Sequence, residues 1–258
     1  MPKFAANLSL MFQELPFQDR FAAARAAGFE GVEIQFPYTY PAADVADWAR
    51  SAKLKVVLHN LPAGDWAGGD RGLACDPARV NEFQDSVGEA LAYARALDVH
   101  QLHCLAGLRR PGVSPARARA TMLSNLRFAA EQLAAHDINL LIEPINTWDI
   151  PGYFLSGSAQ AAALIADCGA PNLFLQYDVY HMQRMEGELA NTVRTLLPLI
   201  RHVQIADTPG RHEPGTGEIN FRYLLALLDE LGYTGWVGCE YLPLGDTVAG
   251  LVWRSHLA

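Results

Sequence analysis

The sequence predicts an α/β fold in which eight parallel strands alternate with helices, a (β/α)₈ barrel, and three observations carry the prediction. Eight short apolar runs recur along the chain, and a longer segment with helical period lies between each run and the next. Four of the runs, in the second half of the chain, have the length and composition of strands covered on both faces. The length, 258 residues, is that of one such barrel, about 250 residues. No Gly/Ser linker, charge block or low-complexity tract divides the chain, so residues 1–258 read as a single barrel domain. The competing fold is a doubly wound open sheet, but no GxGxxG or phosphate loop follows any strand.

The elements follow in order. Strand one is Phe4–Leu10, and the helix over Pro16–Ala27 stops at Gly28. Strand two is Val32–Phe36, before a helix over Ala42–Lys53; strand three is Val56–Asn60. The helix over Asp76–Leu97 opens on Asp76-Pro77, read as an N-cap with Pro at the first helical position. Strand four, Val99–Leu105, leads to a helix over Ser114–His136, where Ser114-Pro115 repeats that signature. Strand five is Asn139–Glu143, and the helix over Ser158–Asp167 runs out before Gly169. Strand six, Leu173–Asp178, precedes a helix over Glu188–Leu197. Strand seven, His202–Ala206, precedes a helix over Phe221–Leu231 that Gly232 closes. Strand eight is Trp236–Tyr241.

Composition narrows the function classes. The chain is 50% hydrophobic and 19% charged, so it can bury a core without disulfides or a structural metal. Its 20 basic and 28 acidic residues, net charge -8, argue against nucleic acid, whose binding is driven by cationic patches. Cys75, Cys104, Cys168 and Cys239 are scattered without a CxxC pair and read as reduced thiols. The N-terminus lacks a signal-peptide core, and no window reaches the ~18 apolar residues of a membrane span. The expectation is a cytoplasmic protein, away from the membrane, with an outer barrel face compatible with a homo-oligomer.

Four of the apolar runs end on an oxygen-bearing side chain: NLLIE on Glu143, NLFLQYD on Asp178, IRHVQ on Gln204 and GWVGCE on Glu240. A buried strand normally excludes carboxylates, because an unpaired buried charge is costly. In a barrel these ends share one rim, where active sites lie. The four therefore converge although 35, 26 and 36 residues separate them. Three carboxylates and an amide oxygen are hard donors, suited to a divalent metal such as Mg²⁺ or Mn²⁺. Three negative charges against two positive leave about one in excess, so a carboxylate can also act as a base. A cation chelated by a hydroxy-carbonyl substrate lowers the cost of removing the intervening proton. Two flanking carboxylates can then take a proton from one carbon and return it to the next. Glu143 and Glu240, at the two ends of the series, suit that exchange; Asp178 and Gln204 suit fixed ligation.

The stretches HNLPAGDW (59–66), LIEPIN (141–146), LFLQYDVYHMQRMEG (173–187), RHVQIADTPGRHEPGTGEINF (201–221) and GWVGCEY (235–241) resemble the hydroxypyruvate isomerases, of the xylose-isomerase-like barrel superfamily. The resemblance runs from about residue 4 to about residue 253. It implies Glu143 and Glu240 as the proton donor/acceptor pair and Glu143, Asp178, Gln204 and Glu240 as metal ligands. Related ketose epimerases carry His where Gln204 stands, which favours the isomerase branch. The implied reaction converts hydroxypyruvate to 2-hydroxy-3-oxopropanoate (tartronate semialdehyde). Neither nicotinamide nor flavin is required, because the two isomers share one redox state. The same site would also serve a 2-oxo-tetronate isomerase or a ketose 3-epimerase. A non-catalytic sugar-binding barrel has no use for two proton-shuttling glutamates, and an apurinic-site endonuclease needs more His ligands and a basic face.

A small hydroxy-keto acid brings a carboxylate, so the site needs a cation. Arg211 is the first choice and Arg71, in the GGDRG loop, the second. His181, in DVYH after strand six, is expected to contact a substrate oxygen by likeness to the epimerases. His59, with Asn60, ends strand three on the same rim and is a further candidate; His103 on strand four could line the pocket. Trp66, Trp148 and Phe12 are candidate pocket walls. Glu33 inside strand two is left without a role, Asp149 reads as a solvated loop residue, and Asp207 as shaping the rim. GTGE (215–218) reads as a tight turn, because Glu213 and Glu218 disfavour an anion there.

Overall fold

The computed structural model describes residues 2–256 and closes eight parallel strands into a barrel in sequence order, β1 to β8, with β1 paired to β8. The strands are β1 Lys3–Asn7, β2 Gly31–Ile34, β3 Lys55–Asn60, β4 Gln101–Cys104, β5 Asn139–Ile142, β6 Leu173–Asp178, β7 Ile200–Ile205 and β8 Trp236–Cys239. The helices are α1 Phe17–Ala26, α2 Ala42–Ser51, α3 Val80–Leu97, α4 Pro115–Ala134, α5 Ser158–Cys168, α6 Val179–Met185, α7 Leu189–Leu196, α8 Phe221–Glu230, α9 Thr247–Gly250 and α10 Trp253–His256. The predicted fold class is the observed one. No helix among the described residues is long and apolar enough to cross a membrane.

Most boundaries fall within a few residues of the sequence reading, and the departures have local causes. Ser114 caps α4 by accepting the Arg117 N–H, and Gly169 ends α5 in the left-handed region at φ 70°. Asp76 does not cap a helix. Its carboxylate accepts the Ala78 N–H and pairs with Arg110, forming a turn, and α3 starts at Val80. The DVYH stretch, expected in a loop, opens α6: Asp178 caps it by accepting the Tyr180 N–H. Helix α6 has only 7 residues, and α9 and α10 have 4 each, too few for periodicity to reveal.

Between strands and helices runs one continuous apolar core, including Phe21, Phe83, Met122, Leu126 and Leu164. The barrel interior differs. A small apolar cluster of Ala5, Val57, Leu58 and Leu141, backed by Phe174 and Trp236, fills one level. The rest of the interior is polar and buried: Asn7, Glu33, Gln176, His202 and Gln204 are each about 1% exposed or less. Glu33 organises it by accepting from Asn7 (2.9 Å) and Gln204 (2.8 Å) and meeting His202 at 2.7 Å. A Cβ on Gly238 would lie 2.2 Å from Glu33 Oε2, so only glycine leaves that carboxyl its place.

Candidate active site

Parallel register sets the site at the ends of β5 to β8. Asp178 is the last residue of β6 and pairs with Gln204 on β7, which pairs in turn with Gly238 on β8. Glu143 and Glu240 follow directly on β5 and β8. Glu143, Asp178, His181 and Glu240 each offer a donor atom within 4.8 Å of the others, and all are buried. His181 joins them because Asp178 caps α6, which places residue i+3 in the first turn beside it. A cavity of about 260 Å³ opens over this cluster, lined among others by Trp66, Arg71, His103, His181 and Arg211.

The two glutamates differ in surroundings. Glu240 has partners on both oxygens: Oε1 accepts from Gln35 (2.9 Å) and Asn7 (3.3 Å), and Oε2 from Arg211 (2.7 Å), which leaves Oε2 a further lone pair. Glu143 Oε1 and Asp178 Oδ2 are buried without a hydrogen-bond partner. Burial, then the charges of Glu240 and Asp178, hold the Glu143 carboxyl well above its usual range. Asp178 is pushed up to about 7 by burial, against the pull of Arg211. Glu240 is raised too, by burial, with Arg211 again opposing. His181 lies well below its ordinary value through burial and the cations Arg211 and Arg184. Burial also lowers His103, to about 3. Acids crowded together with buried, unpartnered oxygens are short of positive charge, and their hard oxygen donors fit a divalent cation. The cluster could hold one.

Gln204 sits differently from the three acids. Its Nε2 donates to Glu33 (2.8 Å) and its Oε1 accepts from Gln176 (2.6 Å), leaving that oxygen one further lone pair. Arg211, beyond β7, has φ 55°, a left-handed conformation costly for a non-glycine residue. It is held there by its N–H on Asp207 O and its carbonyl on Leu242 N. Its guanidinium donates to Glu240 (2.7 Å), with Asp178 at 3.9 Å, while its Nε has no hydrogen-bond partner. Arg71 is the freer cation. It stacks 4.2 Å over the Trp66 ring and donates to the carbonyls of Trp66 and Asp70. No acid among the described residues forms an ion pair with it. Gly72 next to it (φ 113°) allows the loop to approach β4, since a Cβ would lie 2.5 Å from Leu105 O.

His59 does not line the cavity. Successive strand residues face opposite ways, and on β3 it is Asn60 that lines it. His59 lies 3.3 Å from the Tyr38 hydroxyl, which packs on Tyr93 of α3, and burial pushes it down to about 4. Of the proposed aromatic walls, Trp66 lines the cavity, Trp148 is 72% exposed, and Phe12 is buried in the core. Asp149 is an exposed turn residue, as read, but it also has partners: it accepts from Asn146 and Tyr180 and pairs with Arg184. Asp207 shapes the rim by accepting the N–H groups of Thr208, Gly215, Gly217 and Ile219. The 215–218 turn therefore has those donors occupied. Asn7, Gln35, Asn146 and Gln176 went unnoticed in the sequence, because isolated amides carry no local signal; only their position at or near strand ends could have marked them.

Comparison with known proteins places this geometry among isomerases. The family described as xylose isomerase-like TIM barrel matches residues 21–253. The hydroxypyruvate isomerase of Escherichia coli (strain K12) is 53% identical over 255 residues, covering 99% of each chain. A 2-oxo-tetronate isomerase of Cupriavidus necator is 48% identical over 253 residues, covering 98% of this chain and 97% of its own. Among solved structures, one described as an AP endonuclease, family 2, from Brucella melitensis superposes with a TM-score of 0.97 at 46% identity, covering 99% of both chains.

Proposed function

The chain belongs to the xylose isomerase-like TIM barrel family, and from that premise we propose that it interconverts hydroxypyruvate and 2-hydroxy-3-oxopropanoate. It is an isomerase of the aldose–ketose type, acting on a small keto acid. The observation that carries this reading is the buried cluster of Glu143, Asp178 and Glu240, which opens onto a cavity with Arg71 at its wall. Glu143, Asp178 and Glu240, with the remaining lone pair of Gln204, would hold a divalent cation, Mg²⁺ or Mn²⁺. When bound it supplies positive charge to the oxygens that become negative as the enediolate forms.

The residues do the rest. Arg71, stacked on Trp66 and without an acid partner, takes the substrate carboxylate in a charge-assisted pair. One of Glu143 and Glu240 removes a proton from C3, and the C–H electron pair becomes the C2=C3 bond as the C2=O π pair moves onto O2. The other delivers a proton to C2, where the C2=C3 π pair takes it, while the hydroxyl proton passes from O3 to O2 and the O3–H pair becomes the C3=O bond. Atoms and electrons balance with no external acceptor, so no nicotinamide or flavin enters. Burial excludes water that would quench the enediolate. A nucleic-acid substrate fits poorly with four acids at the cavity, Glu143, Asp149, Asp178 and Glu240, in a chain of net charge -8.

The test is direct. Purified protein loaded with Mg²⁺ or Mn²⁺ should consume hydroxypyruvate and yield tartronate semialdehyde, detected through its reductase. No turnover by the metal-loaded protein rejects this substrate. The Cupriavidus relative motivates a second reading, a 2-oxo-tetronate substrate, decided by comparing kcat/KM for the two acids. Glu143→Gln and Glu240→Gln should each slow exchange of the substrate C–H proton with solvent by about 10³-fold. Normal exchange in both would remove them from the proton path.

A further inference from the structure

Asn146, in the loop after β5, is fully buried, and its partners fix which way its amide points. Its Oδ1 accepts the backbone N–H groups of Trp148 (3.1 Å) and Asp149 (2.8 Å), which can only donate. Its Nδ2 lies 3.0 Å from Asp149 Oδ2 and 2.7 Å from His181 Nδ1. Turning the amide over would set an NH₂ group against two N–H groups and an oxygen against a carboxylate. The two Nδ2 hydrogens are thus committed, one to Asp149 and one to the imidazole. A ring nitrogen that accepts a hydrogen bond carries no hydrogen, so the His181 proton resides on Nε2. The platform is braced from α6, the helix that carries His181: Asp149 also accepts from Tyr180 (2.8 Å) and pairs with Arg184.

His181 Nε2 faces the cluster, 3.5 Å from Asp178 Oδ2 and 4.0 Å from Glu143 Oε1, the two oxygens without partners. Distance alone would admit His181 as a fourth metal ligand, but ligation needs a lone pair on Nε2, and this tautomer has none there. We propose that Asn146 is a positioning residue that holds His181 as its Nε2–H tautomer, making His181 a hydrogen-bond donor to a substrate oxygen and not a metal ligand. The proposal rests on the isomerase reading for the identity of that oxygen, whereas the tautomer and the ligand set are independent of it. An N–H aimed at an oxygen that gains negative charge in the transition state stabilises it without competing for the cation. It also leaves the fourth ligand place to the Gln204 carbonyl.

The test begins with the metal-free wild-type protein, ¹⁵N-labelled at histidine. Long-range ¹H–¹⁵N spectra, with the His181 signals assigned by their loss in His181→Gln, should show Nε2 protonated and Nδ1 bare. The reverse pattern overturns the proposal. Mn²⁺ titrated into His181→Gln should bind within about three-fold of wild type, whereas loss of a ligand weakens binding by about ten-fold or more. Such a loss also overturns it. Asn146→Asp replaces the donor with an acceptor and should draw the ring proton to Nδ1. The expected cost is about 10²-fold in kcat with KM within about three-fold; an unchanged tautomer or unchanged kcat overturns the role of Asn146. If Asn146→Asp fails to fold, the wild-type spectrum and the Mn²⁺ titration still decide. Absence of hydroxypyruvate turnover by wild type would reject the substrate while leaving the spectral and Mn²⁺ results to be judged separately.

Discussion

Glu143 and Glu240 are chemically identical side chains, both raised by burial but with different partners, and their glutamine variants should separate in stability. Glu143 Oε1 has no partner and its carboxyl sits well above the usual range. Glu143→Gln therefore removes a buried acid that gains little from ionising, and the metal-free variant should melt at or above the wild-type temperature. Glu240 answers Arg211 at 2.7 Å, with Asn7 and Gln35 on its other oxygen. Glu240→Gln sets an amide NH₂ or a weaker acceptor against that partly buried cation, which should cost about 1.5–3 kcal/mol in a urea melt. Equal melting of the two variants would contradict this asymmetry. Arg71 gives a kinetic contrast. A charge-assisted bond is worth ~1.5–3 kcal/mol, so Arg71→Ala should raise KM for hydroxypyruvate by about 10–100-fold. An unchanged KM would reassign the carboxylate to Arg211.

At the scale of elements, the loop after β7 is shaped by one side chain. Four backbone N–H groups converge on the buried Asp207 carboxylate, and its own carbonyl accepts the Arg211 N–H. Asp207→Ala orphans those four donors but keeps the backbone carbonyl that accepts the Arg211 N–H. It should cost about 3 kcal/mol or more and lower kcat as well, because the loop that carries Arg211 to Glu240 loses its side-chain anchor. Ser114→Ala is the control: it removes the α4 cap, at about 1 kcal/mol, and should leave kcat unchanged. Full activity in a stably folded Asp207→Ala protein would show that this loop does not position the site.

The whole molecule stores opposing groups in one interior. His59 and His103 are held down to about 4 and about 3, so their share of stability is present above about 6.5 and is lost as pH falls through those values. Asp178 is raised to about 7 and Glu143 higher than usual. Their share is present below about 4, the unfolded value, and is lost as pH rises through about 7 for Asp178. A bound cation must displace the protons on these acids. The rise in Tm that Mn²⁺ produces should therefore be small near pH 5 and grow toward pH 8. A rise independent of pH across that range would mean that the cation binds elsewhere.

Local chemistry determined a great deal. Strand–helix alternation, chain length and the strand-end acids gave the barrel, its rim and three members of the cluster, because apolar runs and their terminators are written in consecutive residues. Tertiary structure decided what each side chain faces. Asn7 and Glu240 are 233 residues apart in sequence and 3.3 Å apart in space, a relation no window of sequence contains. The outward turn of His59, the pairing of Arg211 that leaves Arg71 free, and the amide of Gln204 bound to Glu33 all follow from register and barrel closure. So does the capture of His181 by Asn146. Secondary structure is set by near neighbours, whereas hydrogen-bond partners and charge pairs in a buried interior are set by which strands close on one another.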